Sequence, residues 1–294
     1  IMYVECSKDN TGYRNTGAVD QCLEGLTIRT AAAVPGFKFD SIEDAKDIAK
    51  WNQAIANKQL FPLFEAEEWT SANTEDTVFE GRSKQYVTAK GKKIITYTSF
   101  LGFCSHYALK SFNKKEVQLF EFTEDKAILA VLNPDGSVKG QDVVLNIGQR
   151  LPATADRPPG ALVTINYTDR DQLEDYAAVL RPDWNPIDIQ GIFDVTLVQV
   201  EATDTSIKFK AVTGCAGGDS ELTSLESADI VLLDTDGNAH VFSFVAADEN
   251  GVYELTGTGF ETGFTLGLDG VITKTEGVYE APKVLTINIG SPSV

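Results

Sequence analysis

The sequence predicts a mainly β protein of two domains. The first, 1–192, carries one flanking helix over 41–58 and a long hairpin over 81–100; the second, 193–294, is an immunoglobulin-like β-sandwich. Three observations lead there. Runs of β-branched and aromatic residues between turn signals fill most of the chain, and strong helical periodicity is confined to its first quarter. Near residue 193 the pattern changes to seven short strands, spaced roughly 8–15 residues apart, within about 100 residues. At 294 residues the chain can hold two cores, although one large β domain stays open.

The helix is predicted by DSIEDAKDIAKWNQAIANKQ. Ser41 suits the N-cap, Glu43 and Asp44 suit the positive helix end, and Ile42, Ala45, Ile48, Ala49, Asn52 and Ile55 recur at helical spacing. GRSKQYVTAKGKKIITYTSF, residues 81–100, predicts two strands about a Lys90-Gly91 turn. A shorter helix follows over SHYALKSFN, with Leu109 and Phe112 facing inward. Strands are expected at 117–122, 127–132, 143–147 and 161–167, and Asp135-Gly136 in LNPDGSV has the chemistry of a hairpin tip. Five of the ten prolines fall between Pro152 and Pro186, so irregular crossings belong there, and RPDWNPIDI is a candidate linker. The later strands are FDVTLVQVEA, TSIKFKAVT, ADIVLLD, AHVFSFVAA, GVYELTGT, FTLGL and KVLTINI. They lack the Cys–Trp–Cys signature of antibody domains, so only the architecture is implied.

Charge narrows the function classes. The net charge is −18, yet residues 81–115 hold eight Lys or Arg and no acid. A phosphate backbone would be repelled by most of such a surface, which argues against a specific DNA binder. The basic window is then a solvated edge strand kept from stray pairing by its lysines, a catalytic surface, or a surface that docks onto another copy. No apolar run approaches the roughly 18 residues of a membrane span, and the N-terminus shows no signal-peptide pattern. Cys6, Cys22, Cys104 and Cys215 are scattered without a CxxC pair, so free thiols are expected, with a Cys6–Cys22 bridge as the alternative.

Chemistry is sparse. The two histidines, His106 and His240, fall in different predicted domains, and neither nucleophile-elbow, zinc-protease nor phosphate-loop patterns occur. Asp234 to Asn238, DTDGN, resembles the start of a calcium loop, but its glycine is fourth where an EF-hand needs it sixth; a hairpin turn explains the same residues. Phe64 to Trp69, FEAEEW, mixes aromatics with acids as a glycan site does, and fits a loop beside a strand as well. No enzyme, cofactor or metal is expected.

The order of CLEGLTI, SIEDAKDIAKW, EDTVFEGRSKQYVTAKGKKIITYTS, CSHYALKSFN, VQLFEF, NPDGSVKGQDV and DIQGIFDVTLVQV resembles a family of structural proteins from tailed bacteriophages, known from phages of Bacteroidetes. The resemblance covers residues 22 to about 200, is closest to tail-tube subunits, and brings no catalytic residue. It implies a tail-tube-like β-sandwich or barrel before the immunoglobulin-like domain, with stacked rings around a DNA channel. The implied partners are other copies of the chain and other tail or connector proteins, with DNA only as passing cargo and no membrane. The implied location is the virion, assembled in the host bacterial cytoplasm. Head decoration, a connector ring, or an extracellular glycan-binding module are the alternatives. On this reading the ribbon is a joint between copies, carried by Arg82, Lys84, Tyr86, Lys90, Lys92, Lys93, Ile95 and Tyr97. A ribbon polar on both faces suits a site covered from both sides by neighbours.

Overall fold

The computed structural model describes residues 3–4, 24–214, 220–275 and 277–290, in two units, Ile1–Ile189 and Gln190–Val294. The division falls just before the expected 192/193 boundary. RPDWNPIDI proves to be packed into the first unit and is no free linker. Trp184 Nε1 donates to Lys46 O at 2.6 Å, its ring meets Trp51 at 5.8 Å, and Arg29 donates to Ile187 O.

The first unit opens with strands Tyr3–Val4 (β1) and Thr27–Ala33 (β2) and helices Ile42–Lys46 (α1) and Ile48–Ala56 (α2). Strands Leu60–Glu65 (β3), Glu67–Ser71 (β4), Thr77–Glu80 (β5), Gln85–Ala89 (β6) and Ile94–Phe100 (β7) lead to helix Phe103–Lys110 (α3). Lys115–Thr123 (β8), Ile128–Leu132 (β9), Val138–Lys139 (β10), Gln141–Leu151 (β11) and Gly160–Tyr167 (β12) follow, then Gln172–Tyr176 (α4) and Ala177–Leu180 (β13). Eleven of these strands make one curled sheet in the order β1-β13-β9-β8-β11-β12-β7-β4, with β10 on β9 and β2 joining β8 to β3.

The single helix expected over 41–58 is two. Ser41 Oγ caps α1 as expected, accepting from Asp44 N at 3.1 Å. Asp47 then leaves helical geometry (φ −85°, ψ 113°) and caps α2, its carboxylate accepting from Ala49 N at 2.9 Å. An aspartate competes with the helix for backbone donors, so a second cap replaces the continuous turn. The break brings Trp51, fully buried, against Phe39, Phe120 and Phe122 at centroid distances of 5.1, 5.2 and 5.5 Å.

β8 is buried on both faces from Val117 onward. Phe120 and Phe122 meet the helices, while Val117 and Leu119 enter a second cluster with Tyr97, Val143, Leu145, Val163 and Ile165 inside the curl. Leu109 of α3 belongs to that cluster and Phe112 packs on it, as expected. The outward face of the sheet is exposed to half-buried, except where Arg157 and Glu68 cover Thr98. Register places Glu116, Val144, Asn146, Leu162, Thr164, Asn166 and Thr96 on it, with no Lys or Arg at those positions.

The second unit holds Ile192–Ala202 (β14), Ser206–Thr213 (β15), Ser220–Glu221 (β16), Ile230–Leu233 (β17), Ser243–Val245 (β18), Val252–Thr256 (β19), Thr265–Leu268 (β20), Val271–Lys274 (β21), Gly277–Glu280 (β22) and Leu285–Thr286 (β23). One sheet runs β18-β19-β15-β14-β22-β21 with β16 on β15, the other β17-β20-β23. Phe209, Tyr253 and Leu255 of the first sheet and Leu232, Leu266 and Ile287 from the opposite side share one core, a two-sheet sandwich of the expected kind. Buried Tyr253 is satisfied: its hydroxyl donates to Leu222 O at 2.8 Å and accepts from Leu225 N at 3.1 Å. The β21–β22 hairpin is an addition to the seven expected strands. Its Thr- and charge-rich sequence hides a parallel pairing of β22 with β14.

Candidate assembly interface

The basic window does not fold as expected. β7 pairs with β4 and β12, not with β6. The β4–β7 pair runs on outward through Ala72 N to Ile94 O (2.8 Å) and Thr74 N to Lys92 O (3.0 Å). Beyond it, β5 and β6 form a separate two-stranded sheet with Val78 opposite Val87 and Phe79 opposite Tyr86. The turn is at Gly81–Lys84, closed by Gly81 N donating to Lys84 O at 2.9 Å. Lys90-Gly91 is therefore no turn. Gly91 lies within the arm because the partner strand comes too close for a side chain: a Cβ there would sit 1.9 Å from Thr74 O.

This arm has no core of its own. Every residue from Thr77 to Lys90 except Gly81 is exposed. Val78, Phe79, Tyr86 and Val87 show 48%, 61%, 56% and 58% of their surface to solvent. An isolated two-stranded hairpin is marginal in water, and large apolar side chains bared on both of its faces mark a surface meant to be covered.

Its root is fixed by alternating charges. Arg170 donates to Asp76 Oδ1 at 2.6 Å and to Asp171 Oδ1 at 3.0 Å, Lys90 pairs with Asp171, and Gly91 N donates to Asp76 Oδ1 at 2.6 Å. The Gly91 amide, then Arg170, hold the Asp76 carboxyl below its ordinary range; Lys90, then Arg170, do the same for Asp171. Asp171 in turn raises Lys90. Lys93 Nζ lies 4.3 Å from the centre of the Tyr167 ring.

The eight residues expected at the joint thus separate. Arg82, Lys84 and Tyr86 stand on the exposed arm, and Lys92 is exposed at its root beside Asn73, Thr74 and Glu174. Lys90 and Lys93 are engaged within the unit. Ile95 and Tyr97, 9% and 1% exposed, belong to the core and leave the joint, because β7 is an interior strand of the main sheet. Sequence reasoning missed Val78 and Phe79, which precede the basic window; the available signal was TVFE, apolar residues among turn formers and acids.

The remaining candidates make local contacts. His106 Nε2 sits 3.2 Å from Gly148 O, and His240 packs edge-on against Phe260 and Phe264 at 5.4 and 5.1 Å. Asp234 Oδ1 accepts from the Asp236 and Asn238 amides at 2.9 and 2.8 Å, the expected turn. In FEAEEW, Trp69 stacks on Tyr97 at 5.3 Å and Glu68 pairs with Arg157 at 2.7 Å. Among the described residues no group of three His, Cys, Asp or Glu is placed to hold a metal, and no helix is long and apolar enough to cross a membrane. Cys104 is disulfide-bonded, which corrects the expected free thiol there; Cys6, Cys22 and Cys215 lie outside the described residues. Spacing along the chain says nothing of the Cα separation a disulfide needs. No protein-family model and no curated protein matches the chain.

Proposed function

We propose that this chain is a structural subunit that assembles with copies of itself through the 72–93 arm, as the tail-tube protein of a phage particle whose rings stack around a DNA channel. The observation that carries the reading is the arm: a projecting hairpin with four large apolar side chains exposed over two faces and a firmly held root. A root fixed by ion pairs makes sense where the far end must meet a partner in a set direction. The outward sheet face, rich in Thr and Asn and with the Arg157 charge at Thr98 paired to Glu68, supports a channel wall, since free cations there would hold passing DNA by its phosphates. A disulfide at Cys104 suits a particle that persists in oxidising surroundings after release.

Negative-stain microscopy over a concentration series tests this. Rings or tubes are expected for the unaltered chain, and single particles for Phe79→Ser with Tyr86→Ser, both of which leave the two cores intact. Single particles from the unaltered chain up to millimolar concentration would end the proposal.

A further inference from the structure

The arm sorts its charges by strand. Its outgoing half, 72–80, holds Glu75, Asp76 and Glu80 without a Lys or Arg; its returning half, 82–93, holds Arg82, Lys84, Lys90, Lys92 and Lys93 without an acid. Asp76, Lys90 and Lys93 are engaged at the root. Glu75, Glu80, Arg82, Lys84 and Lys92 form no ion pair among the described residues, not even across their own hairpin. Because this sheet is two strands wide, β5 and β6 each leave one hydrogen-bonding edge open among the described residues. One open edge lies on the acidic strand, the other on the basic strand.

We propose that arms of neighbouring copies pair edge to edge, β6 of one against β5 of the next, in a continuous antiparallel sheet. This rests on the self-assembly reading above and names its joint. Copies pointing the same way place β6 antiparallel to the next β5, the sense already present within each hairpin. With the strands level, the free stretch of the returning edge is β6 and the turn, since at Gly91 and Lys93 that edge already meets Arg170 and Tyr167 of the same copy. Arg82 and Lys84, at the turn that follows Glu80, come beside Glu80 of the next copy. Next to this charged end, Val78–Val87 and Phe79–Tyr86 extend into an apolar row on each face. The contact joins two different edges, so it repeats into a ring or a filament. Pairing β5 with β5, or β6 with β6, sets like charges opposite each other and is disfavoured.

A charge exchange tests the pairing. Glu75→Lys with Glu80→Lys makes both edges basic; Arg82→Glu with Lys84→Glu makes both acidic. Each variant alone should need about tenfold more protein to assemble, read by sedimentation velocity. Their equimolar mixture should co-assemble as the unaltered chain does, because every joint then meets an opposite edge. A mixture no better than its components, or a single variant that assembles normally, overturns the edge pairing. The Phe79→Ser, Tyr86→Ser variant separates the two ideas. If it stays monomeric while the charge variants assemble normally, assembly through the arm stands and edge pairing falls; if the unaltered chain stays monomeric, both fall.

Discussion

Glu121 is a buried carboxylate, 5% exposed, satisfied by neutral donors. Thr27 Oγ1 reaches its Oε2 at 3.0 Å, while Gln141 Nε2 and the Tyr167 hydroxyl reach its Oε1 at 2.7 and 2.8 Å. Leucine at this position would strand all three donors, so Glu121→Leu is expected to cost about 2–4 kcal/mol in urea denaturation, and Glu121→Gln, which keeps an acceptor, clearly less. Burial pushes the Tyr97 phenol up to about 12, and burial followed by the charge of Glu121 raises Tyr167 as well. Raised phenol values favour the neutral ring in the folded state. The Tyr97 contribution is therefore complete below the ordinary tyrosine value, near pH 10, and is lost as pH rises through about 12. Thermal melts should fall steeply across that window, with a late phase of phenolate absorbance that Tyr97→Phe removes. None of this is legible in VQLFEFT. A glutamate in a strand reads as the solvent side of an alternation, and that cue fails for a strand covered on both faces.

At the scale of elements, the sequence placed strands well wherever turn chemistry was local and strand partners were adjacent. Asp135-Gly136 does turn β9 into β10: Gly136 takes φ +87° and its amide donates to Asn133 O at 3.0 Å. Gly91 misled because a glycine needed for close approach looks, in one dimension, like a glycine needed for a turn. The charge window misled too, since it cut a hairpin lengthwise and kept only the returning strand. Gly91→Ala should therefore disrupt the arm root while sparing both cores: amide exchange should rise across 72–93 and assembly should fail, with the remaining amides still protected. Acid should loosen the same root. The Asp76 and Asp171 carboxyls are depressed, so their contribution is present above the ordinary carboxylate value, near pH 4, and is lost as pH falls through their lower folded values.

At the scale of the whole molecule, the two-part organisation was legible because strand spacing changes where the second core begins, and no local turn has to be identified to see it. The linker was misplaced because proline content marks irregular backbone whether that backbone is free or, like Trp184 and Ile187, held against a core. Each unit has its own core, and all three tryptophans, Trp51, Trp69 and Trp184, lie in the first. Tryptophan fluorescence should therefore follow the unfolding of the first unit alone, while calorimetry registers both. Trp51→Ala removes the ring that Phe39, Phe120, Phe122 and Trp184 surround, at a cost of about 3–5 kcal/mol. For a unit of this size that lowers its midpoint on the order of 10 °C. The fluorescence transition, still reported by Trp69 and Trp184, should drop by that amount and the second calorimetric transition should stay in place. A single transition that moves as a whole would show that the two cores melt together, and that changes in the arm-bearing unit are felt throughout the chain.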